Sequence, residues 1–163
     1  MKHQNLTRRA FIATSTLAAS QLGCATAQTR IAMNDAQVVP GKISPNERLN
    51  VAAIGAGGKG FSDIMSCKGE NIVALCDVDW KRCEKAFNEL PDARRFRDYR
   101  NMLEQMPEID AVTISAPDHI HAPAAILAMK MGKHVYVQKP LTHTVQEARW
   151  MTLVAREAGV ATQ

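Results

Sequence analysis

The stretch Val51-Ala-Ala-Ile-Gly-Ala-Gly-Gly-Lys-Gly60, followed by Ile72-Val-Ala-Leu-Cys-Asp77, constrains this chain more than any other part of it. An apolar run enters a tight glycine turn, and a second apolar run ends on an acid 22 residues after Gly55. That spacing belongs to a βαβ unit wrapped around a dinucleotide. Gly55 would permit the turn, Gly57 would let backbone approach a pyrophosphate, and Gly60 would let the following helix pack on the sheet. Gly55, Ala56, Gly57, Gly58, Lys59 and Gly60 together form the candidate phosphate turn, with free N–H groups at the positive end of a helix dipole. Lys59 could reach a phosphate, although an exposed first-turn lysine explains it better. Asp77 stands where a carboxylate accepts both hydroxyls of an adenosine ribose. This favours NAD over NADP, whose 2′-phosphate would meet a like charge. Lys81 and Arg82 keep NADP open, although a solvated helix face is their simpler reading.

Strand and helix patterns alternate after this turn. Strands are expected over Leu49–Ile54, Ile72–Cys76, Arg94–Phe96, Ala111–Ser115 and Val135–Val137, with a sixth beginning at Val160–Thr162. Helices are expected over Gly58–Cys67, Trp80–Leu90 with Asp79 as cap, and from Asp98 to Pro107. A fourth should run from near His121 to Met131, because Pro123 has no N–H and fits the first helical turn. The last is opened by the capping box Thr144-Val-Gln-Glu147, turns Ala148, Met151, Val154, Ala155 and Ala158 inward, and is ended by Gly159. Strands apolar on both faces, separated by amphipathic helices, give an α/β, doubly wound parallel sheet of Rossmann type, in strand order 3-2-1-4-5-6.

The first 27 residues read differently. A basic start, a short apolar middle and Ala25-Thr26-Ala27 make an export signal, and Thr7-Arg8-Arg9-Ala10-Phe11-Ile12 resembles a twin-arginine signal. Export of a folded protein to the periplasm or beyond suits a chain that must load a cytosolic cofactor first. Residues 28–47, with Pro40-Gly41 and Ser44-Pro45, form a linker or N-terminal arm, and the dinucleotide domain occupies residues 48–163. The leader carries three of the positive charges behind the net charge of +4, which leaves +1 for the rest. The basic balance is therefore no signature of nucleic-acid binding. No later apolar run is long enough to span a membrane. Cys67, Cys76 and Cys83 follow the leader without Cys-x-x-Cys spacing, which argues against a zinc site; no metal is expected.

Two further segments fall at strand ends, where ligands sit in such sheets. Ser115-Ala116-Pro117 leads through His119 to His121, and a neutral histidine there could face a nicotinamide or a substrate. His121 is the better candidate, while His119 serves equally well as a capping residue. Val135-Tyr-Val-Gln-Lys-Pro140 places Lys139 at the end of the fifth strand, held by Pro140. A lysine there can hold a ribose, bind a substrate hydroxyl or move its proton.

These pieces resemble the Gfo/Idh/MocA oxidoreductases: Val51-Ala-Ala-Ile-Gly-Ala-Gly57, Ala74-Leu-Cys-Asp77, Asp110-Ala-Val-Thr-Ile-Ser-Ala-Pro117 with His121, and Gly132-Lys-His-Val-Tyr-Val-Gln-Lys-Pro140. The resemblance implies an NAD(P)-dependent oxidoreductase acting on a hydroxyl-bearing carbon of a sugar or polyol. It gives Lys139 the role of active-site lysine, beside His121, and implies a following α+β domain for substrate and homo-oligomer contacts. That domain is missing here, so the chain reads as an N-terminal piece, poorly soluble and inactive alone. Gln138 departs from the family's Glu-Lys-Pro pattern and removes a negative charge beside Lys139. A rival on the same scaffold is a glycosidase, which oxidises its sugar transiently with bound NAD and cleaves by elimination. A non-catalytic nucleotide or sugar sensor is the remaining alternative.

Overall fold

The computed structural model describes residues 47–163. The signal expected over 1–27, and the arm over 28–47 apart from Glu47, lie outside the described residues. Five strands, β1 (Asn50–Ile54), β2 (Asn71–Cys76), β3 (Arg94–Phe96), β4 (Ala111–Ile114) and β5 (His134–Val137), alternate with five helices. These are α1 (Lys59–Ser66), α2 (Glu84–Glu89), α3 (Tyr99–Gln105), α4 (Asp118–Lys130) and α5 (Val145–Ala158). The sheet order is β3-β2-β1-β4-β5 and every pairing is parallel. Thr162 forms a parallel bridge to Val135, and the Val137 N–H donates to Gln163 O at 2.8 Å. Residues 161–163 thus lie along β5, where the sixth strand is expected to begin.

Alternation along β1 builds two cores. Val51 and Ala53 face α1 and α2, with Ile64, Leu75, Cys83 and Phe87. Ala52 and Ile54 face the other three helices, with Met102, Leu103, Ala125 and Met129. Alanines at 52, 74, 124, 125 and 128, all fully buried, leave no bulk between α4 and the sheet, so helix and strands approach closely. Among the described residues no helix is long and apolar enough to cross a membrane.

Two helices differ from expectation. Trp80–Cys83 is turn, so α2 begins only at Glu84. Asp79 does cap this segment, accepting the Lys81 and Arg82 N–H groups at 3.1 and 3.3 Å. The bonds that follow, Cys83 N–H to Trp80 O and Glu84 N–H to Lys81 O, span three residues and wind too tightly for an α-helix. The fourth helix starts at Asp118 rather than near His121, with Pro123 inside it. Proline there gives up one bond, to the His119 carbonyl. The Ile120 N–H closes the first turn onto Pro117 O at 2.8 Å, and the buried face from Ala122 to Met129 holds the remainder. The final helix is as expected: Thr144 and Glu147 form a capping box, Gly159 takes φ 64°, and Met151 is buried.

Candidate functional site

The carboxyl ends of four strands meet at one edge of the sheet. The parallel ladder runs one residue past each of them, with Gly55 N–H to Cys76 O, Ser115 N–H to Ile54 O and Gln138 N–H to Ile114 O all at 2.8 Å, and Asp77 N–H to Phe96 O at 3.0 Å. Gly55, Asp77, Ser115 and Gln138 are thereby fixed in register. Helices leave β1 and β4 toward opposite faces, which opens the crevice where ligands bind in doubly wound sheets.

The glycine turn fills one end of this crevice. Gly55 has φ +83°, and a Cβ on it would stand 2.5 Å from Ala116 N. A Cβ on Gly60 would stand 1.6 Å from Gly55 O, so α1 leaves the sheet with no room for a side chain at that point. Gly58 is the N-cap of α1 and brings no side-chain cap, and no acid occupies the first turn. The helix start is left polar and positive, as an anion requires.

Asp77 faces this turn. Its carboxylate accepts the Gly57 N–H at 3.1 Å and the Asp79 N–H at 2.9 Å, and the Cys83 thiol lies beside it. Two backbone donors fix its orientation while it stays partly open to solvent. Burial, joined by the neighbouring Asp77 carboxylate, pushes the Cys76 and Cys83 thiols up to about 12, so both are neutral core groups. The loop beyond Asp77 is stiffened by stacking: Trp80 meets Phe87 edge-on at 5.8 Å, and the Arg97 guanidinium lies 4.4 Å over Trp80. Arg82 is exposed, yet its side chain lies along the glycine turn rather than over a free helix face. A Cβ on Gly57 would be 3.1 Å from Arg82 Cβ, and one on Gly58 would be 3.3 Å from its Nη2.

At the other end stands a residue the sequence reading did not single out. Asp63, on α1, has a side chain only 8% exposed. Its Oδ1 pairs with Lys59 Nζ at 2.6 Å, and its Oδ2 accepts from Ser115 Oγ at 2.7 Å and Gln138 Nε2 at 2.9 Å. Burial opposes the charged carboxylate, but the bonds from Lys59, Gln138 and Ser115 outweigh it and hold Asp63 below the ordinary carboxylate range. Lys59 is held above its usual value, chiefly by its hydrogen bond to Asp63. Its ammonium is thus engaged by a carboxylate rather than free for a phosphate. Only the four-residue spacing of Lys59 and Asp63 hinted at this arrangement in the sequence.

Lys139 and Pro140 are both exposed and joined by a cis peptide. The Lys139 N–H donates to Gln138 Oε1 at 2.7 Å. Among the described residues no hydrogen bond or ion pair reaches the Lys139 ammonium. Ser115 and Ala116 are half-buried beside the turn, and Pro117 is exposed as the N-cap of α4. His121 is 1% exposed, with Nδ1 2.8 Å from Pro140 O and Nε2 2.8 Å from Ala116 O. Its ring is spent on the two loops that flank the crevice instead of opening into it. His119 is exposed, with Nδ1 3.8 Å from Asp118 Oδ1. It lies in the first turn of α4, not in a loop over a cofactor. Among the described residues no group of three or more histidines, cysteines or acids is placed to hold a metal.

A parallel doubly wound sheet with an open glycine turn and a strand-end acid defines a dinucleotide-binding domain. The chain belongs to the GFO_IDH_MocA oxidoreductase family, whose model, described as an NAD-binding Rossmann fold, matches residues 49–163. It is 32% identical over 165 residues to glycosyl hydrolase family 109 protein 1 of Shewanella sp. (strain MR-4), covering 88% of this chain and 35% of that one. It is 31% identical over 175 residues to an alpha-N-acetylgalactosaminidase of Shewanella oneidensis, covering 94% and 37%. The chain spans about a third of the length of these curated relatives. Among solved structures, an oxidoreductase described as putative from Klebsiella pneumoniae is 37% identical, with a TM-score of 0.60 over 70% of this chain and 33% of the other. The WlbA dehydrogenase from Chromobacterium violaceum, solved with NADH and UDP-GlcNAcA, shares the fold at 20% identity, with a TM-score of 0.67 over 73% and 35%.

Proposed function

We propose that residues 48–163 are the NAD-holding domain of an exported enzyme that oxidises a hydroxyl-bearing carbon of a sugar or polyol. The observation that carries this reading is the placement of the open glycine turn, Asp77 and Lys139 after the carboxyl ends of β1, β2 and β5, along one edge of the sheet. The N–H groups at the start of α1 would take the pyrophosphate, and the fixed Asp77 carboxylate would take the adenosine ribose hydroxyls. Its charge disfavours a 2′-phosphate, which makes NAD the expected cofactor, while Arg82 beside the turn is the group that would serve NADP. Ser115, Ala116 and Pro117 would line the cofactor's path. Bound NAD supplies the hydride acceptor. Lys139 would orient the substrate hydroxyl or take its proton, and His121 would serve by clamping the Ala116 and Pro140 loops.

A second reading keeps the same site and changes the outcome. In a glycosidase of this design the bound NAD would supply a transient oxidation that is reversed within each turnover, so no net NADH would accumulate. The names of the Shewanella relatives favour it. The acid and base groups beyond Lys139, and the contacts of a homo-oligomer, would come from a following domain. Export through the twin-arginine machinery, as the leader suggests, would carry the protein folded with its cofactor.

The test is to unfold the purified full-length protein, identify the released nucleotide by mass, and then offer it free sugars and aryl glycosides. Stoichiometric NAD with net NADH from free sugars supports the oxidoreductase. Release of the aryl group with no net NADH supports the glycosidase. Absence of nucleotide, with none binding on addition, sinks both and leaves a scaffold or sensor.

A further inference from the structure

We propose that Asp63 is the positioning residue for Lys139, acting through the Gln138 side chain, and that its carboxylate is why position 138 carries an amide rather than an acid. This rests on the reading of Lys139 given above.

The argument begins with what Asp63 touches. Three donors from three elements converge on one nearly closed carboxylate: Lys59 from the first turn of α1, Ser115 from the end of β4, and Gln138 from the end of β5. The separations in sequence from Asp63 to Ser115 and Gln138 are 52 and 75 residues, so the carboxylate ties the cofactor-turn helix to two other strand ends. Gln138 passes the link onward. Its Nε2 donates to Asp63, and its Oε1 accepts the backbone N–H of Lys139 at 2.7 Å. Both ends of the amide are used, and each requires its own chemistry. A donor must face Asp63 and an acceptor must face Lys139; at neutral pH an amide offers both, whereas a carboxylate offers only acceptors.

Glutamate at 138 would still accept the Lys139 N–H. Its other oxygen would meet Asp63 at hydrogen-bonding distance, where two carboxylates cannot both stay ionised. The remaining charged or titratable groups around Asp63 do not resolve that conflict. Lys59 is already paired with Oδ1, the Cys67 thiol lies against the Asp63 carbonyl at 3.7 Å, and Tyr136 lies near Lys59. Ser115 and Gln138 are neutral. The absence of glutamate from this strand end is thus a consequence of aspartate at 63.

The test uses the full-length protein with D63N, Q138E and the exchanged pair D63N/Q138E. Two readouts are taken: the NADH dissociation constant, and the position of the Lys139 resonance after reductive 13C-methylation, assigned with Lys139→Arg. At about pH 8, Q138E is expected to shift the Lys139 resonance and weaken NADH by about tenfold, the size of one net hydrogen bond to a charged group. Relative to wild type at the same pH, both defects should shrink toward about pH 5.5, as one carboxyl takes up a proton. D63N/Q138E, in which the amide at 63 donates to the acid at 138, should return to within about threefold of wild type at both pH values. An unmoved Lys139 resonance in Q138E and D63N overturns the proposal, even if both variants are less stable. A pair no better than its worse single variant overturns it as well. Should Q138E fail to fold, a folded D63N/Q138E with the wild-type resonance supports the proposal, and an unfolded one overturns it. Wild-type protein that binds no NADH removes the proposed function but leaves the resonance test standing.

Discussion

The two ends of the crevice are built in different ways. At the β1–β2 end, the acid that faces the glycine turn is held by backbone, with the Gly57 and Asp79 N–H groups donating to Asp77. At the β4–β5 end, position is set by side chains, with Asp63 joining Ser115 and Gln138, and His121 joining Ala116 to Pro140. The first end is a rigid turn whose geometry follows from glycine. The second is a polar lattice, dependent on charge state and on every partner being present.

The largest effect is expected where the first end has no slack. Gly60→Ala would set a methyl group 1.6 Å from the Gly55 carbonyl oxygen, and the obstacle is backbone rather than a yielding side chain. Destabilisation of about 3 kcal/mol or more and loss of NAD binding are expected. A denaturation midpoint and a calorimetric titration check this, and wild-type values in both would show that the turn is not rigid. Next is Asp77→Ala, which removes the proposed ribose acceptor and strands the Gly57 and Asp79 N–H groups. Loss of about tenfold to a hundredfold in NAD affinity is expected, with a smaller loss for NADP, since the like charge disappears as well. Equal losses for both nucleotides would assign Asp77 to holding the loop alone.

This contrast also explains what was legible in the sequence. Glycine spacing, a strand-end acid and a capping box are local signals, and the strand order, the place of Asp77 just past β2 and the Thr144–Glu147 box follow from them. Helix α4 departed from expectation because the rule for Pro123 is local while the stabilising face, Ala122 to Met129, is tertiary. Asp63 was invisible for the opposite reason. One acid in the middle of an amphipathic helix carries no mark of the two strand ends it meets. His121 drew notice as a histidine near a strand end, but the two carbonyls that occupy its ring lie 5 and 19 residues away and cannot be read from composition or period.

A smaller effect, at the second end, is acid sensitivity. Asp63 has its folded-state carboxyl held below the ordinary value of 3.8, so the stability it contributes is complete above that value and is lost as pH falls through the folded value. D63N should be less stable than wild type at neutral pH, and the gap should close in the acid range. Thermal unfolding followed from about pH 7 to about pH 2.5 tests this, because a gap constant over that range would mean that the charge of Asp63 does not matter to the lattice.

The smallest effect tests whether the first end uses its thiol at all. Cys83 is fully buried beside Asp77, and burial keeps its thiol neutral. A thiol is a weak donor, and Asp77 keeps two backbone N–H bonds without it. Cys83→Ala should therefore weaken NAD binding by only about twofold to threefold. Cys83→Ser keeps a donor of similar reach and should bind NAD at least as well as Cys83→Ala, although a hydroxyl in an apolar pocket lowers stability by about 1 kcal/mol. Both serine and alanine variants at wild-type affinity would reduce Cys83 to packing and leave Asp77 oriented by backbone alone. A loss of tenfold or more with alanine, recovered by serine, would show that the β1–β2 end also depends on a side-chain contact and would narrow its difference from the β4–β5 end.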